Sequence, residues 1–261
     1  MINPLRLSIS TRSRDRFVIK FLKPTASDVI LDLGCGIGYY CEFLSNFGSK
    51  VFGVDIDQEA SYIAQQFCPD VDFSICSATD LPFKENSFDK IICTDSLEHV
   101  EDDYRAINEI YRVTKPGGLV LLTIPCNEGV FGSFTKNIAH EKSHGYERHV
   151  KEGYSFKDIV SLCEHSGFKL LNHAYTLTFF AELFMALSKL IYLLINKGKF
   201  KGQSELITLS NNRFFYELVK LLLLPVLIIG QVEDILLSRI LKGHCLVLLL
   251  TKGFIIKRRT K

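Results

Sequence analysis

Short apolar runs alternate with helical patterns from residue 28 to residue 175, at the spacing of repeated strand–helix units. Runs that predict strands lie at 29–33, 50–54, 71–76, 88–93, 119–124, 168–175 and 244–251. Helical patterns between them cover 40–47, 58–67, 102–114 and 156–166. Several runs are apolar at nearly every position, which is typical of parallel strands covered by helices on both faces. The pattern therefore predicts an α/β fold with a doubly wound, mostly parallel sheet of seven strands.

The pattern changes after residue 177, where long apolar stretches replace the alternation. Residues 179–195 and 214–241 are almost continuously apolar, although charged residues interrupt both stretches. We therefore predict one domain formed by residues 1–177 and 243–261. A hydrophobic helical insertion, 178–242, precedes its last strand.

The insertion has three candidate roles: a lid packed on the domain, a homodimer interface, or an element that contacts a membrane surface. A membrane-spanning hairpin is the least favoured alternative, because neither apolar stretch has the 18 uncharged residues of a simple spanning helix. A basic link at 197–202 and the basic run at 257–259 would favour anionic lipid headgroups. All three roles stay open at this point.

Charge and cysteine content limit the partners and the compartment. The 261 residues carry a formal net charge of +2, so we expect no nucleic-acid partner. None of the eight cysteines forms a C-x-x-C pair, and most lie in apolar stretches, so no disulfide framework is expected. The start of the chain lacks the apolar run of a secretory signal. A cytoplasmic protein, with membrane association left open, fits these features best.

The first predicted strand leads into a glycine-rich turn, Asp-Leu-Gly-Cys-Gly-Ile-Gly, which begins at Asp32. Gly34, Gly36 and Gly38 allow the backbone to turn sharply and to approach a ligand closely. The helix that follows offers free backbone N–H groups. Because Gly36 and Gly38 are only two residues apart, the turn differs from the nicotinamide dinucleotide fingerprint.

Polar residues follow the next strands at the places where a nucleoside would need them. Asp55 follows the second strand and can accept hydrogen bonds from a ribose diol, while Asp57 is better explained as a helix cap. Asp80 and Leu81 follow the third strand, and Asp80 could accept a hydrogen bond from an adenine amine. Cys93 ends the fourth strand.

In this order the motifs D-L-G-C-G-I-G, G-V-D, D-L-P-F, F-D-K-I-I-C, L-E-H-V and K-P-G-G-L-V-L-L resemble the class I methyltransferases. The resemblance is strongest to the type 11 methyltransferase domain and spans residues 28–124. It implies a Rossmann-like fold and S-adenosylmethionine as cofactor. The resemblance places the cofactor's methionine portion at the glycine turn and near the backbone of Cys93. It places the ribose at Asp55 and the adenine at Asp80.

Two acceptor-side candidates follow the fourth strand. Glu98 and His99 lie in the L-E-H-V segment, where strand-end loops carry chemistry in open α/β sheets. A structural role at the start of a helix is the alternative. Ubiquinone-type O-methyltransferases, which this segment resembles, are thought to hold a divalent cation with an acid three residues before Glu-His. Asp95 replaces the usual Glu there, so we assign no metal site and keep the cation as an alternative.

A histidine-rich loop at 140–149 follows the fifth strand, and His144 or His149 could act as the general base near the acceptor. A solvated polar loop without a catalytic role is the alternative, and zinc binding by these histidines is a weaker hypothesis because no cysteine supports it. The family pattern H-V-R-x-Y-S/T is echoed by residues 149–155.

These features predict methyl transfer to oxygen or carbon of a small or lipid-linked acceptor. The enzyme would align the acceptor for in-line displacement and remove its proton. A methyltransferase-like binding protein without turnover is one alternative. Nicotinamide-dependent oxidoreduction is another, which the glycine spacing disfavours.

Overall fold

The computed structural model describes residues 3–127, 150–151, 153–176, 213–237 and 242–253. The expectations for His144, His149 and residues 178–212 lie outside the described residues.

Seven strands form a single sheet with the order β3-β2-β1-β4-β5-β7-β6. They are β1 (Val29–Leu33), β2 (Lys50–Asp55), β3 (Asp72–Ile75), β4 (Phe88–Thr94), β5 (Thr114–Pro125), β6 (Phe168–Thr176) and β7 (Cys245–Lys252). The pairs from β3 to β5 are parallel, whereas β7 runs antiparallel to both β5 and β6. The carboxyl ends of β1, β2 and β4 therefore meet at one edge of the sheet.

Six α-helices accompany the sheet within the described residues. They are α1 (Ile9–Phe17), α2 (Tyr39–Ser45), α3 (Gln58–Phe67), α4 (Asp103–Val113), α5 (Phe156–His165) and α6 (Arg213–Leu237). Shorter turns of helix occur at Pro4–Leu7, Val18–Leu22 and Leu97–His99. The helical patterns and strands predicted from the sequence are confirmed, with ends that differ by a few residues.

Two differences from the sequence prediction have local causes. β5 begins at Thr114, but its pairing with β4 jumps from Thr114 to Leu119, because residues 115–118 bulge out where Gly117 has a φ of 80°. The N-terminal helix α1 was not predicted, since its surface-type sequence has no clear apolar face.

Adjacent residues of the central strands enter opposite cores, as period-two side-chain alternation requires. Ile91 and Leu122 belong to the core under α4 and α5. Ile92 and Leu121 belong to the core under α1 and α2. Helices thus cover both faces of the sheet, and the predicted site lies at the ends of its central strands.

Helix α6 lies between β6 and β7 in the chain, so the part of the predicted insertion that the structure describes is helical. It packs against α1, where Arg16 Nη1 donates a hydrogen bond of 3.0 Å to the Gln231 carbonyl oxygen. Within the described part of the chain, no helix is both long and apolar enough to cross a membrane.

Gly53, in the middle of β2, has no room for a side chain. A Cβ there would collide with the Phe73 ring and approach Cys41 Sγ to 3.0 Å. Gly53→Ala should therefore lower the free energy of unfolding by about 1–3 kcal/mol, measured by urea denaturation. Gly253→Ala is the matched control, because its Cβ would meet nothing closer than 3.9 Å. Equal effects of the two substitutions would contradict the packing explanation.

Candidate cofactor and acceptor site

A cavity of about 670 Å³ opens at the carboxyl ends of β1, β2 and β4. Its wall includes the glycine turn, the ends of β2 and β4, the loop after β3, and part of α1. Of the residues predicted to bind a cofactor, Asp32, Gly34, Gly36, Asp55 and Cys93 line this cavity. Ligands of open α/β sheets bind at this edge, where the strand order reverses.

The glycine turn is held by the end of the neighbouring strand. The N–H groups of Gly34 and Cys35 both donate to the Val54 carbonyl oxygen, at 2.7 and 3.0 Å. Gly34 has a φ of 72°, and a Cβ on it would collide with the Ser96 side chain. A Cβ on Gly36, whose φ is 50°, would meet nothing within 4 Å. Gly36 thus leaves open space above the turn, while Gly34 is required for close packing beneath it.

Asp55 is oriented by the turn that it faces. One carboxylate oxygen accepts the Gly36 N–H at 2.7 Å and the other accepts the Asp57 N–H at 2.9 Å. Each oxygen keeps a further lone pair for a ligand. Asp57 caps α3 by accepting the N–H groups of Glu59 and Ala60, at 2.8 and 3.2 Å. The capping role predicted for Asp57 is therefore confirmed.

Asp32 lies beneath the glycine turn, almost completely buried. The Cys41 thiol donates to Oδ2 at 3.3 Å, and Oδ1 has no hydrogen-bond partner among the described residues. Burial raises the pKa of Asp32 from its ordinary value to about 7. Asp32 therefore supports the turn from below as a carboxyl group that is costly to ionise.

The loop after β3 is anchored to α4. The Leu81 N–H donates to Glu109 Oε2 at 2.8 Å, and Arg112 Nη2 donates to the Leu81 carbonyl oxygen at 2.9 Å. Leu81 is buried under the loop, whereas Asp80 is exposed next to Thr79, which lines the cavity. The role of Asp80 at an adenine stays a prediction.

Glu98 and His99 occupy different environments on the short helix Leu97–His99. His99 lines the cavity, whereas Glu98 is 1% exposed and is not part of the cavity wall. Glu98 Oε2 has no hydrogen-bond partner among the described residues, and burial raises the pKa of this carboxyl well above its ordinary value. The Glu98 carbonyl oxygen accepts the N–H groups of Val150 and Lys151, at 2.9 and 3.1 Å. The chain that follows His149 therefore returns to the L-E-H-V segment.

Residues 149–155 resemble the family pattern H-V-R-x-Y-S/T, and those of them that the structure describes contact α4 and α5. The Tyr154 hydroxyl donates to Asp103 Oδ2 at 2.9 Å, and Lys151 forms an ion pair with the same carboxylate. Ser155 caps α5 by accepting the Asp158 N–H at 3.2 Å.

Arg14, on α1, is a site residue that the sequence reasoning missed. It lines the cavity, and its Nη2 donates to Asp95 Oδ2 at 2.5 Å, while the Thr123 hydroxyl donates to Asp95 Oδ1 at 3.3 Å. Nothing in the sequence separates Arg14 from Arg12 and Arg16, its neighbours on the helix. The described residues contain no cluster of three potential metal ligands, at Asp95 or elsewhere.

The raised pKa of Asp32 predicts that the free energy of unfolding depends on pH. A carboxyl group whose pKa is raised on folding contributes stability that is complete below its unfolded pKa and is lost as the pH rises through the folded pKa. Asp15, whose pKa burial raises to about 6, acts in the same direction. The free energy of unfolding should therefore fall between pH 5 and pH 8. In Asp32→Asn that fall should be smaller by about 2 kcal/mol, measured by urea denaturation across the range. Parallel pH profiles for the two proteins would contradict the assignment.

Residues 31–122, which include the glycine turn and the L-E-H-V segment, match the family described as "Methyltransferase domain". The chain is 31% identical over 122 residues to demethylmenaquinone methyltransferase of Paenarthrobacter aurescens, covering 47% of this chain and 48% of that protein. It is 33% identical over 128 residues to ubiquinone biosynthesis O-methyltransferase of Thiobacillus denitrificans, covering 47% of this chain and 51% of that protein. The chain thus spans about half the length of the curated relatives it matches.

The fold is similar to that of a crystallised SAM-dependent methyltransferase of Thermotoga maritima. The two share 18% sequence identity with a TM-score of 0.61, over 95% of this chain and 92% of that one. Residues 31–122 are therefore similar to a methyltransferase domain, and the α/β seven-stranded sheet has a fold similar to that of an S-adenosylmethionine-dependent methyltransferase.

Proposed function

We propose that this chain transfers a methyl group from S-adenosylmethionine to oxygen or carbon of a quinone-type or other lipidic small molecule. The observation that carries the proposal is the arrangement of Asp55 and Gly36. The turn orients the Asp55 carboxylate at the cavity wall, and Gly36 leaves open space beside it. A carboxylate beside a glycine turn at the strand ends suits a ribose diol and a closely approaching ligand backbone.

The cavity residues fit such a cofactor. Its volume lies within the roughly 300–1,000 Å³ of small-molecule sites. Asp55 would hold the ribose, and the glycine turn and Cys93 would face the methionine portion. Asp80, which is exposed next to the cavity wall and is not part of it, would meet the adenine. When bound, the cofactor supplies an electrophilic methyl group.

The protein's own contribution to the reaction would be alignment of the acceptor and removal of its proton. His99 is the candidate base that lines the cavity within the described residues. Imidazole is the side chain best suited to exchange a proton near neutral pH. His149 is a second candidate, because the next residue, Val150, is hydrogen-bonded to the Glu98 carbonyl oxygen beside His99. Glu98 fits a supporting role under this segment better than contact with an acceptor.

The surface of helix α6 is an argument for a lipidic acceptor. Among the side chains of α6 that the structure describes, the exposed apolar ones are Leu221, Leu224, Ile228, Ile229, Val232, Ile235 and Leu236. At 100° per residue they share an arc of about 140°, roughly 22 Å long. Water-facing helix surfaces normally carry polar residues, so this apolar stripe suits the interfacial region of a membrane. A lipid-linked acceptor would then be taken up where it resides.

The cofactor assignment predicts the effect of filling the space above the turn. Gly36→Leu should abolish binding of S-adenosylhomocysteine, measured by calorimetry, because the side chain would enter the cavity. The matched control is Gly48→Leu, which imposes the same left-handed strain at a φ of 78°, next to Ala26 and away from the cavity wall. Its affinity should stay within about twofold, although both variants should lose about 1–2 kcal/mol of stability. Undiminished binding by Gly36→Leu would overturn the site.

Turnover separates an enzyme from a binding protein. Wild-type protein, methyl-labelled S-adenosylmethionine and a lipid extract should together yield labelled lipid, detected by mass spectrometry. Gly36→Leu should yield none. Binding of S-adenosylhomocysteine without label in any fraction, lipid or aqueous, would favour the binding protein.

The α6 stripe predicts binding to lipid surfaces. The wild-type protein should co-sediment with phosphatidylglycerol vesicles, and Ile228→Glu combined with Ile235→Glu should reduce the bound fraction at least tenfold. Tyr62→Glu is the control, since Tyr62 is an exposed aromatic residue on α3. If the wild-type protein does not co-sediment with these vesicles, the membrane part of the proposal is wrong.

A further inference from the structure

The wall segment, residues 97–102, forms the side of the cavity that carries His99. All of its residues except the buried Glu98 line the cavity. It contains only the short helix Leu97–His99 and the three residues before α4. Backbone hydrogen bonds of 3.2 and 3.1 Å close this helix, at His99 and Val100. So short a helix has little rigidity of its own, and the position of His99 therefore depends on the residues packed behind it.

Tyr154 lies behind the wall segment and connects it to the end of β5. Its N–H donates to the Pro125 carbonyl oxygen at 3.0 Å. Gly153, with a φ of 139°, allows this approach, because a Cβ there would lie 3.0 Å from the same Pro125 oxygen. The Tyr154 hydroxyl donates to Asp103 Oδ2 at 2.9 Å, with the Leu97 carbonyl oxygen 3.4 Å away. The strand end thus fixes the backbone of Tyr154, while its side chain reaches the wall segment.

Asp103 accepts this hydrogen bond in the first turn of α4, where it is buried. It also forms an ion pair with Lys151, whose ammonium group lies 5.5 Å from the centre of the Tyr154 ring. Burial and the Asp103 carboxylate raise the pKa of Tyr154 above its ordinary value, so the hydroxyl remains a donor. The N–H groups of Val150 and Lys151 donate to the Glu98 carbonyl oxygen, at 2.9 and 3.1 Å. Both ends of the wall segment are therefore held by the chain that returns at Val150.

We propose that Tyr154 and Asp103 are positioning residues for His99, and that their hydrogen bond fixes the wall segment from which the imidazole meets the methyl acceptor. This inference rests on the proposed function, in which His99 removes the acceptor's proton. Neither Tyr154 nor Asp103 lines the cavity, so both act through the wall segment. A displacement of about 1 Å in a reacting group lowers a rate by about 100-fold, so a bond behind the wall affects turnover without touching a ligand.

Tyr154→Phe tests the bond, because it removes one hydroxyl and keeps the ring. Turnover is measured as label transferred from methyl-labelled S-adenosylmethionine to the lipid extract, and it should fall by about 10- to 100-fold. Affinity for S-adenosylhomocysteine, measured by calorimetry, should stay within about twofold, because β2 rather than Tyr154 holds the glycine turn. Tyr111→Phe is the matched control, since Tyr111 lies on α4 and does not line the cavity. Its turnover should equal that of the wild-type protein.

Substitutions of Asp103 test the other end of the same bond. Asp103→Ala removes the acceptor and should lower turnover as Tyr154→Phe does. Asp103→Asn keeps a carbonyl oxygen that accepts the Tyr154 hydroxyl, so its turnover should stay within about threefold of the wild-type value. Combining Asp103→Ala with Tyr154→Phe should cause no further loss, because both remove one interaction.

The histidine ring signals in NMR spectra report the position of His99 directly. In protein labelled with carbon-13 in its histidine rings, the signal that disappears in His99→Gln identifies this residue. Tyr154→Phe should shift or broaden that signal with no acceptor present. The signal of His165, which is exposed at the end of α5, should not change. A purely structural role for Tyr154 would lower the free energy of unfolding without either effect on the folded protein.

The outcomes distinguish the possible failures. Wild-type turnover in Tyr154→Phe, or lowered turnover with an unchanged His99 signal, would overturn the inference and leave the proposed function intact. Equal losses of turnover and of affinity for S-adenosylhomocysteine would show that Tyr154 supports the whole cavity, which would also overturn it. A wild-type protein that binds S-adenosylhomocysteine but labels no fraction, lipid or aqueous, would overturn the proposed function together with the inference.

Discussion

The site depends on the hydrogen bonds between the glycine turn and the end of β2. The Val54 carbonyl oxygen accepts two N–H groups of the turn, and the next residue, Asp55, accepts a third from Gly36. Such bonds require the backbone to approach β2 with left-handed φ values, which glycine adopts without steric cost. The same contacts that stop β1 from continuing therefore orient the carboxylate beside the open space. The hydrogen bonds to the end of β2 therefore determine both the shape of the turn and the orientation of the carboxylate that would meet a ligand.

The sequence predicted this half of the site well because local chemistry determines it. A strand, a glycine turn and an acid after the next strand are neighbours in any parallel sheet with this order, so Gly36 and Asp55 could be paired before the structure was seen. The capping role of Asp57 followed from its position before a helical pattern. Arg14 could not be found in this way. Its partner, Asp95, is 81 residues away, and only the docking of α1 brings the two together.

The ionisable groups around the cavity are stabilised in three different ways. Arg14 is paired with Asp95, so its charge is compensated. Burial raises the pKa of Asp32 to about 7, and it raises that of Glu98 well above its ordinary value, so protonation reduces the cost of burying both carboxyl groups. Asp55 is stabilised by backbone N–H donors instead. An ion-paired guanidinium and a hydrogen-bonded carboxylate thus face the cavity, whereas burial favours the protonated forms of Asp32 and Glu98.

The two sides of the cavity follow different constraints. Sheet register and turn hydrogen bonds hold the cofactor side, so a change of register would displace every residue of that side at once. In the proposed function, the acceptor side would depend on the short helix Leu97–His99 and on the segment that returns to it at Val150. Since α6 packs on α1 through Arg16 and Gln231, a helix with an exposed apolar stripe is mechanically linked to the helix that carries Arg14. If α6 contacts a lipid surface, α1 is the helix that lies between α6 and the cavity wall.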